Sequence, residues 1–180
     1  MKKPSELNLP NSITIIRILA LPICAYVLFK NGGHDYHWRI AAWWVFFFVG
    51  MSDALDGKLA RSRNSVTEFG KLLDPIADKA YLATAMIGLS ILGDLQWWVT
   101  VAILFREIGI TIFRFSVIKT GVIPANRGGK IKTAVQNFAI SFYMLPLNPA
   151  LFLARDIFLG IAIVLTLATG ASYVNQARKR

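Results

Sequence analysis

Six apolar stretches, each long enough to cross a lipid bilayer, constrain the fold of this chain more than any other feature. A membrane-spanning helix needs about 20 mostly apolar residues, with a range of roughly 17 to 25. Little chain remains between the stretches, so the pattern predicts an all-α polytopic membrane protein with six transmembrane helices. The predicted spans are residues 11–29, 38–59, 74–92, 95–118, 131–147 and 150–174.

Composition agrees with a membrane protein and excludes an ordinary water-soluble one. Hydrophobic residues make up 55% of the chain and charged residues only 17%, whereas roughly 25% of an average globular protein is charged. The net charge of +10 makes the polar parts suited to anionic lipid headgroups, phosphates or nucleic acid. The expected partner is membrane lipid, and no nucleic acid is expected.

Basic residues predict the orientation of the spans. Six spans put thirteen Lys and Arg on the ends and loops of one side and only Lys30, Arg39 and Arg155 on the other. By the positive-inside rule, residues 60–72, residues 119–130 and both termini are cytoplasmic, and residues 31–37 lie outside. The fifth stretch contains Gln136 and Asn137 and could be re-entrant, but the basic C-terminus would then lie outside.

The N-terminal residues predict a retained first helix. They carry positive charge before an apolar run but no convincing cleavage site, so we expect residues 1–10 to lie along the membrane interface. With no repeat or long linker, residues 1–180 are expected to form a single membrane-embedded domain. The absence of a targeting peptide fits the expected bacterial inner membrane, and an organelle membrane is the alternative.

Acidic residues cluster at the cytoplasmic ends of spans two and three. Asp53 and Asp56 are three apart and Asp74 and Asp78 four apart, so each pair shares a helix face. The two helices must be antiparallel neighbours, which lets the pairs converge. Clustered carboxylates repel unless a cation holds them, and oxygen-only ligands indicate a hard divalent ion. The alternative is a set of helix-capping or salt-bridging aspartates.

These residues form an extended motif. Asp53, Asp56, Gly57, Ala60, Arg61, Gly70, Asp74 and Asp78 read D-x2-D-G-x2-A-R-x8-G-x3-D-x3-D. The motif resembles, without departure, the signature of the CDP-alcohol phosphotransferase family. The resemblance implies that family's six-helix membrane fold and transfer of a phosphatidyl group from CDP-diacylglycerol to an alcohol, with release of CMP. It further implies that Asp53, Asp56 and Asp74 bind two divalent ions, Mg²⁺ or Mn²⁺, and that Asp78, the fourth acid of this metal site, is the general base.

A polar strip on span one is the candidate entrance for CDP-diacylglycerol. Asn11, Thr14 and Arg17 follow one another by three residues, and the segment from Asn8 onward resembles the entrance segment of family members that use glycerol 3-phosphate. The alternative is capping side chains with an Arg that reaches the interface. The residues predicted to bind CDP-diacylglycerol are Asn8, Asn11, Thr14, Arg17, Asp56, Gly57, Ala60, Arg61 and Gly70.

Further basic residues indicate the second substrate. Span four carries Arg106, Glu107 and Arg114, and residues 126–133 form a basic, Gly-containing start of a helix. Both segments resemble those of family members that use sn-glycerol 3-phosphate, which would yield phosphatidylglycerophosphate and CMP. A second anionic substrate needs its own cations. The predicted acceptor phosphate site comprises Arg106, Arg114, Lys130, Lys132 and Thr133.

Other functions stay open at this point. The same reaction could use inositol phosphate, serine or phosphatidylglycerol as acceptor, and a homodimer is left open. A divalent-cation transporter is the alternative of a different class, because acidic residues in spans also mark ion pathways.

Overall fold

The computed structural model describes residues 8–62, 67–117 and 127–178, and in these ranges the protein is helical without strands. Each predicted span lies on one α-helix, including the fifth, which is continuous. The ends differ from the predicted bounds by a few residues, most at α3, which starts six residues early. The helices are α1 (Leu9–Phe29), α2 (Tyr36–Ser62), α3 (Glu68–Ile91), α4 (Trp97–Val117), α5 (Arg127–Met144) and α6 (Phe152–Arg178).

Local sequence signals explain the ends of α1. The Asn8 side chain caps the helix by accepting from the Asn11 backbone N–H at 3.0 Å, and Pro10 lies in the first turn, where its missing N–H is harmless. At the other end, a 3₁₀ turn over Lys30–Gly33 places Asn31 at φ 52° and Gly32 at φ 77°. This left-handed backbone favours Asn and Gly, and it connects α1 to α2 within a few residues.

The first of two compact units spans Met1–Gly88 and contains α1, α2 and most of α3. The Tyr81 side chain of α3 packs against Gly50 of α2, where an added Cβ would lie 2.8 Å from the Tyr81 hydroxyl. That hydroxyl donates to the Phe46 carbonyl at 3.0 Å. The buried apolar side chains of this unit include Leu21, Cys24, Leu28, Ala42, Phe46, Ala77, Leu82, Ala85 and Met86.

The second unit spans Leu89–Arg180 and contains the end of α3 with α4, α5 and α6. Ser90 and Thr100 share a buried hydrogen bond of 2.7 Å between the end of α3 and α4. Phe138, Phe142 and Phe158 form an aromatic cluster between α5 and α6. The buried apolar side chains include Val99, Ile103, Ala139, Ile140, Met144, Leu159 and Ala162.

Large apolar side chains are exposed along the helices, while several polar ones are buried. On α4 the exposed stripe comprises Trp98, Val101, Phe105, Ile108 and Ile112. Its spacing of three and four residues marks one helix face. Such a surface would be a large apolar patch in water, whereas lipid covers it without penalty.

Hydropathy alone identifies fewer spans than the six predicted. By length and composition, Asn11–Gly33 and Pro149–Ser172 can cross a membrane, within the part of the chain that the structure describes. Charged residues lower the hydropathy of α3, which carries Asp74 and Asp78, and of α4, which carries Arg106 and Glu107. The six-span topology therefore stays a prediction.

Candidate active site

The signature residues lie on two consecutive helices. Asp53, Asp56, Gly57, Ala60 and Arg61 belong to α2, although their side chains are outside the described part. Gly70, Asp74 and Asp78 belong to α3. Few residues separate the end of α2 from the start of α3. The two halves of the motif therefore lie on consecutive helices that a short segment joins, as the sequence predicted.

The polar strip of α1 contacts residues of α3 and α2 at or beside this motif. Thr14 Oγ1 donates to Asp74 Oδ1 at 2.9 Å, which ties the first helix to a predicted metal ligand. Arg17 Nε donates to Ser52 Oγ at 3.1 Å, one residue before Asp53. Both Thr14 and Arg17 are buried. The strip predicted to bind CDP-diacylglycerol therefore also contacts Asp74 of the signature and Ser52 beside it.

At the start of α3, Gly70 lies in contact with Asn11 of α1. Thr67 caps the helix, since its Oγ1 accepts from the Gly70 backbone N–H at 3.0 Å and from Asn11 Nδ2 at 2.8 Å. A Cβ at position 70 would lie only 2.6 Å from Asn11 Oδ1. The missing side chain at Gly70 therefore lets α1 approach α3. Its predicted role in binding CDP-diacylglycerol stays a prediction.

The two carboxylates of α3 differ in their partners. Asp74 is exposed and accepts from Thr14, whereas Asp78 is 33% exposed and pairs with Lys79, whose Nζ lies 2.7 Å from Asp78 Oδ2. Exposed carboxylate oxygens four residues apart are a donor set that fits a hard divalent ion. The ion pair places the positive charge of Lys79 beside the Asp78 carboxylate.

The described side chains do not form a cluster of metal ligands. No three of His, Cys, Asp and Glu lie together among them. Two of the four predicted ligands, Asp53 and Asp56, have side chains outside the described part. The four-carboxylate cluster stays a prediction.

In the second unit, predicted acceptor residues meet at a carboxylate. Glu107 Oε1 accepts from Arg106 Nη1 at 2.6 Å and forms an ion pair with Lys132. Arg106 Nη2 donates to Thr169 Oγ1 at 2.8 Å. The structure therefore brings Arg106 and Lys132 together and buries Lys132.

The other predicted acceptor residues are described only in part. The side chains of Arg114 and Lys130 lie outside the described part, and Thr133 is half-buried on α5. Helix α5 starts at Arg127, so the two glycines of the basic segment lie in its first turn. A helix start in this segment is confirmed, and its role as a phosphate site stays a prediction.

Sequence reasoning assigned no role to several residues that the site uses. Thr67, Ser52, Glu107 and Thr169 were not among the site candidates. Glu107 had a detectable signal, because a carboxylate within an apolar span needs a buried cationic partner. Thr67 and Thr169 had none, since an isolated Thr in a helical protein is common and its partner is distant in sequence.

Comparison with known proteins identifies the family. The family model described as CDP-alcohol phosphatidyltransferase matches residues 7–168. A Mycobacterium tuberculosis (strain H37Rv) protein named "Probable phosphatidylglycerophosphate synthase" is 48% identical over 170 residues, covering 94% of this chain and 81% of the relative.

Two further relatives extend the comparison. The "CDP-diacylglycerol--glycerol-3-phosphate 3-phosphatidyltransferase" of Bacillus subtilis (strain 168) is 33% identical over 186 aligned positions, covering 94% of each chain. The "Cardiolipin synthase (CMP-forming)" of Streptomyces coelicolor is 30% identical over 145 positions, covering 79% of this chain and 66% of the relative. The matched model covers most of the chain and includes the whole signature, so this chain belongs to the CDP-alcohol phosphatidyltransferase family.

Proposed function

We propose that this chain transfers the phosphatidyl group of CDP-diacylglycerol to sn-glycerol 3-phosphate, giving phosphatidylglycerophosphate and CMP. The observation that carries the proposal is the complete aspartate signature, in a chain 48% identical to a relative named as a phosphatidylglycerophosphate synthase. The cations Arg106 and Lys132, which the second unit brings together, support a phosphorylated acceptor.

In the proposed reaction, a hydroxyl oxygen of the acceptor attacks the phosphorus of the phosphatidyl group. The bond from this phosphorus to the oxygen of the CMP phosphate breaks, and CMP leaves with that oxygen. Asp78 takes the proton of the attacking hydroxyl, and its partial exposure leaves it accessible to a substrate. Thr14 holds Asp74 in place from α1.

The residues present fit divalent ions. Asp53, Asp56 and Asp74, with Asp78 beside them, would hold two Mg²⁺ or Mn²⁺ ions, which supply charge neutralisation for the pyrophosphate. Carboxylate oxygens without His or Cys are the donor set that these ions prefer. The exposed side chain of Asp74 is consistent with a ligand of this kind.

Substrate binding is assigned to the two polar regions. For CDP-diacylglycerol, we propose Asn8, Asn11, Thr14 and Arg17 from α1, with Asp56, Gly57, Ala60, Arg61 and Gly70 from the signature. For the acceptor phosphate, we propose Arg106, Arg114, Lys130, Lys132 and Thr133. Cationic side chains form strong, charge-assisted hydrogen bonds to phosphate oxygens.

We also propose a six-span protein of the bacterial inner membrane, with residues 1–180 as one catalytic domain and its active site and termini on the cytoplasmic side. The exposed apolar face of α4 and the distribution of basic residues along the sequence support this arrangement. A homodimer is compatible with the exposed apolar surface, which lipid or a second copy can cover.

The acceptor is tested by measuring CMP release by the purified chain in detergent micelles containing CDP-diacylglycerol. Glycerol 3-phosphate, glycerol, inositol phosphate, serine and phosphatidylglycerol are offered one at a time. We expect release with glycerol 3-phosphate, loss in EDTA and recovery with Mg²⁺ or Mn²⁺. Equal release with plain glycerol would contradict the phosphate site, and cation flux in nucleotide-free liposomes would favour a transporter.

A further inference from the structure

A buried carboxylate joins two of the cations that we assign to the acceptor. Glu107 accepts from Arg106 Nη1 at 2.6 Å and pairs with Lys132, and the side chains of Glu107 and Lys132 are each 4% exposed. Burying an ionised carboxylate is strongly unfavourable unless it is paired and hydrogen-bonded. Glu107 and the two cations are therefore one electrostatic group.

A second helix also holds Arg106. Its Nη2 atom donates to Thr169 Oγ1 on α6 at 2.8 Å, and the Thr169 hydroxyl donates to the Leu165 carbonyl at 2.7 Å. The guanidinium is planar and rigid, so anchoring both Nη atoms also sets the direction of the N–H on Nε.

The Nε atom of Arg106 carries a further donor. Within the part of the chain that the structure describes, this buried atom has no hydrogen-bond partner. A Cβ built on Gly170 would lie 3.4 Å from Nε, so any other residue at this position would place a carbon atom against this donor. A buried donor without an acceptor is unfavourable, which points to a ligand oxygen at this position.

We propose that Glu107 is a positioning residue of the acceptor site: it orients Arg106 and Lys132 so that Arg106 Nε meets an oxygen of the acceptor phosphate. The inference rests on the proposed function, because it needs a phosphorylated acceptor. Glu107 does not touch the acceptor, since its negative charge repels phosphate. Buried ion pairs add little net stability, so the role of this one is orientation.

The first test is Glu107→Gln, which keeps the size of the side chain but removes its charge. We expect the acceptor KM to rise about tenfold, because a charge-assisted hydrogen bond becomes a neutral one. The KM for CDP-diacylglycerol should not change. Glu107→Asp retains the charge and should recover part of the loss.

Asp156→Asn is the matched control. This carboxylate of α6 also accepts from a tyrosine and an arginine, Tyr143 and Arg155, but it lies outside the proposed site. We expect both KM values and kcat of Asp156→Asn to equal those of the wild type.

The second test is Gly170→Ala, which adds one methyl group beside Arg106 Nε. Ala is more favourable than Gly within a helix, and 3.4 Å is an ordinary contact distance, so the variant should fold at least as well as the wild type. We expect its acceptor KM to rise severalfold because the methyl group occupies the space for the phosphate oxygen.

The outcomes separate this inference from the proposed function. An unchanged acceptor KM in Glu107→Gln, or equal rises in both KM values, would overturn the positioning role. If Glu107→Gln does not fold, an unchanged acceptor KM in Gly170→Ala overturns the inference. If the wild-type protein were equally active with glycerol and with glycerol 3-phosphate as acceptor, the proposed function would be overturned instead.

Discussion

A single hydrogen bond connects α1 to a residue of the predicted active site. Thr14 lies on α1, sixty residues before Asp74, yet its hydroxyl donates to that carboxylate. Asp78, one turn later on α3, pairs instead with its neighbour Lys79. Two aspartates of one motif therefore have different environments, which agrees with the different roles proposed for them.

Thr14→Val tests the bond to Asp74. Valine has nearly the same shape but no donor, and a hydrogen bond to a charged group contributes about 1.5 to 3 kcal/mol. We expect a weaker site for the divalent ion, measured as a rise of about tenfold or more in the Mn²⁺ concentration that gives half-maximal activity.

Thr84→Val is the control for this change. Thr84 lies on α3, as Asp74 does, and its hydroxyl donates to the Ala80 carbonyl one turn earlier. This variant should leave the Mn²⁺ dependence unchanged. A Thr14→Val enzyme with the wild-type Mn²⁺ dependence would show that Thr14 does not position Asp74.

Asp78→Asn tests the general base. The amide cannot accept the proton of the attacking hydroxyl, so we expect kcat to fall by about 10² to 10⁴ while CDP-diacylglycerol still binds. Asp56→Asn should lose both binding and turnover. Turnover and equilibrium binding of CDP-diacylglycerol are the measurements, and near wild-type turnover in Asp78→Asn would assign the base to another group.

At the level of helices, contact between α1 and α3 depends on a missing side chain. Gly70 faces Asn11, and the Asn11 amide also donates to Thr67, which caps α3. One polar residue of α1 therefore contacts both the residue that caps α3 and the glycine in its first turn. Asp74, one turn later on α3, accepts from Thr14 of α1.

Gly70→Ala should separate the two helices. The added Cβ would lie 2.6 Å from Asn11 Oδ1, and such overpacking destabilises a protein by about 1 to 3 kcal/mol. We expect a lower thermal unfolding temperature in detergent and weaker activity. The double variant Gly70→Ala with Asn11→Ala should recover part of the stability, because the clashing oxygen is gone.

Gly160→Ala is the control at this level, because an added Cβ at this helical position on α6 meets nothing within 4 Å. It should leave stability unchanged or raise it by about 0.5 to 1 kcal/mol. If Gly70→Ala behaved like Gly160→Ala, the close contact with Asn11 would not limit the packing of α1 on α3.

For the whole molecule, the predicted orientation in the membrane can be tested without an activity assay. In a Cys24→Ala background, Ser65→Cys should be labelled by a membrane-impermeant thiol reagent only from the cytoplasmic side, and His34→Cys only from outside. The physical reason is the excess of Lys and Arg on one side. Labelling of Ser65→Cys from outside would reverse the topology and the proposed cytoplasmic active site.

Sequence alone determined the helices and the family. Apolar stretches of spanning length predict helices because a backbone in lipid must satisfy its own hydrogen bonds, and six helices lie where they were expected. The aspartate motif was equally readable, because its eight positions have fixed spacing over a short segment. Local patterns of this kind require no knowledge of distant contacts.

Tertiary structure decided which distant residues meet. The bond from Thr14 to Asp74, the Asn11 contact at Gly70 and the pairing of Lys132 with Glu107 join residues on different helices. Lys132 was predicted to bind the acceptor phosphate, yet it lies buried against a carboxylate that had no assigned role. Helix periodicity gives the face of a side chain but not its partner, because the partner depends on how the helices pack.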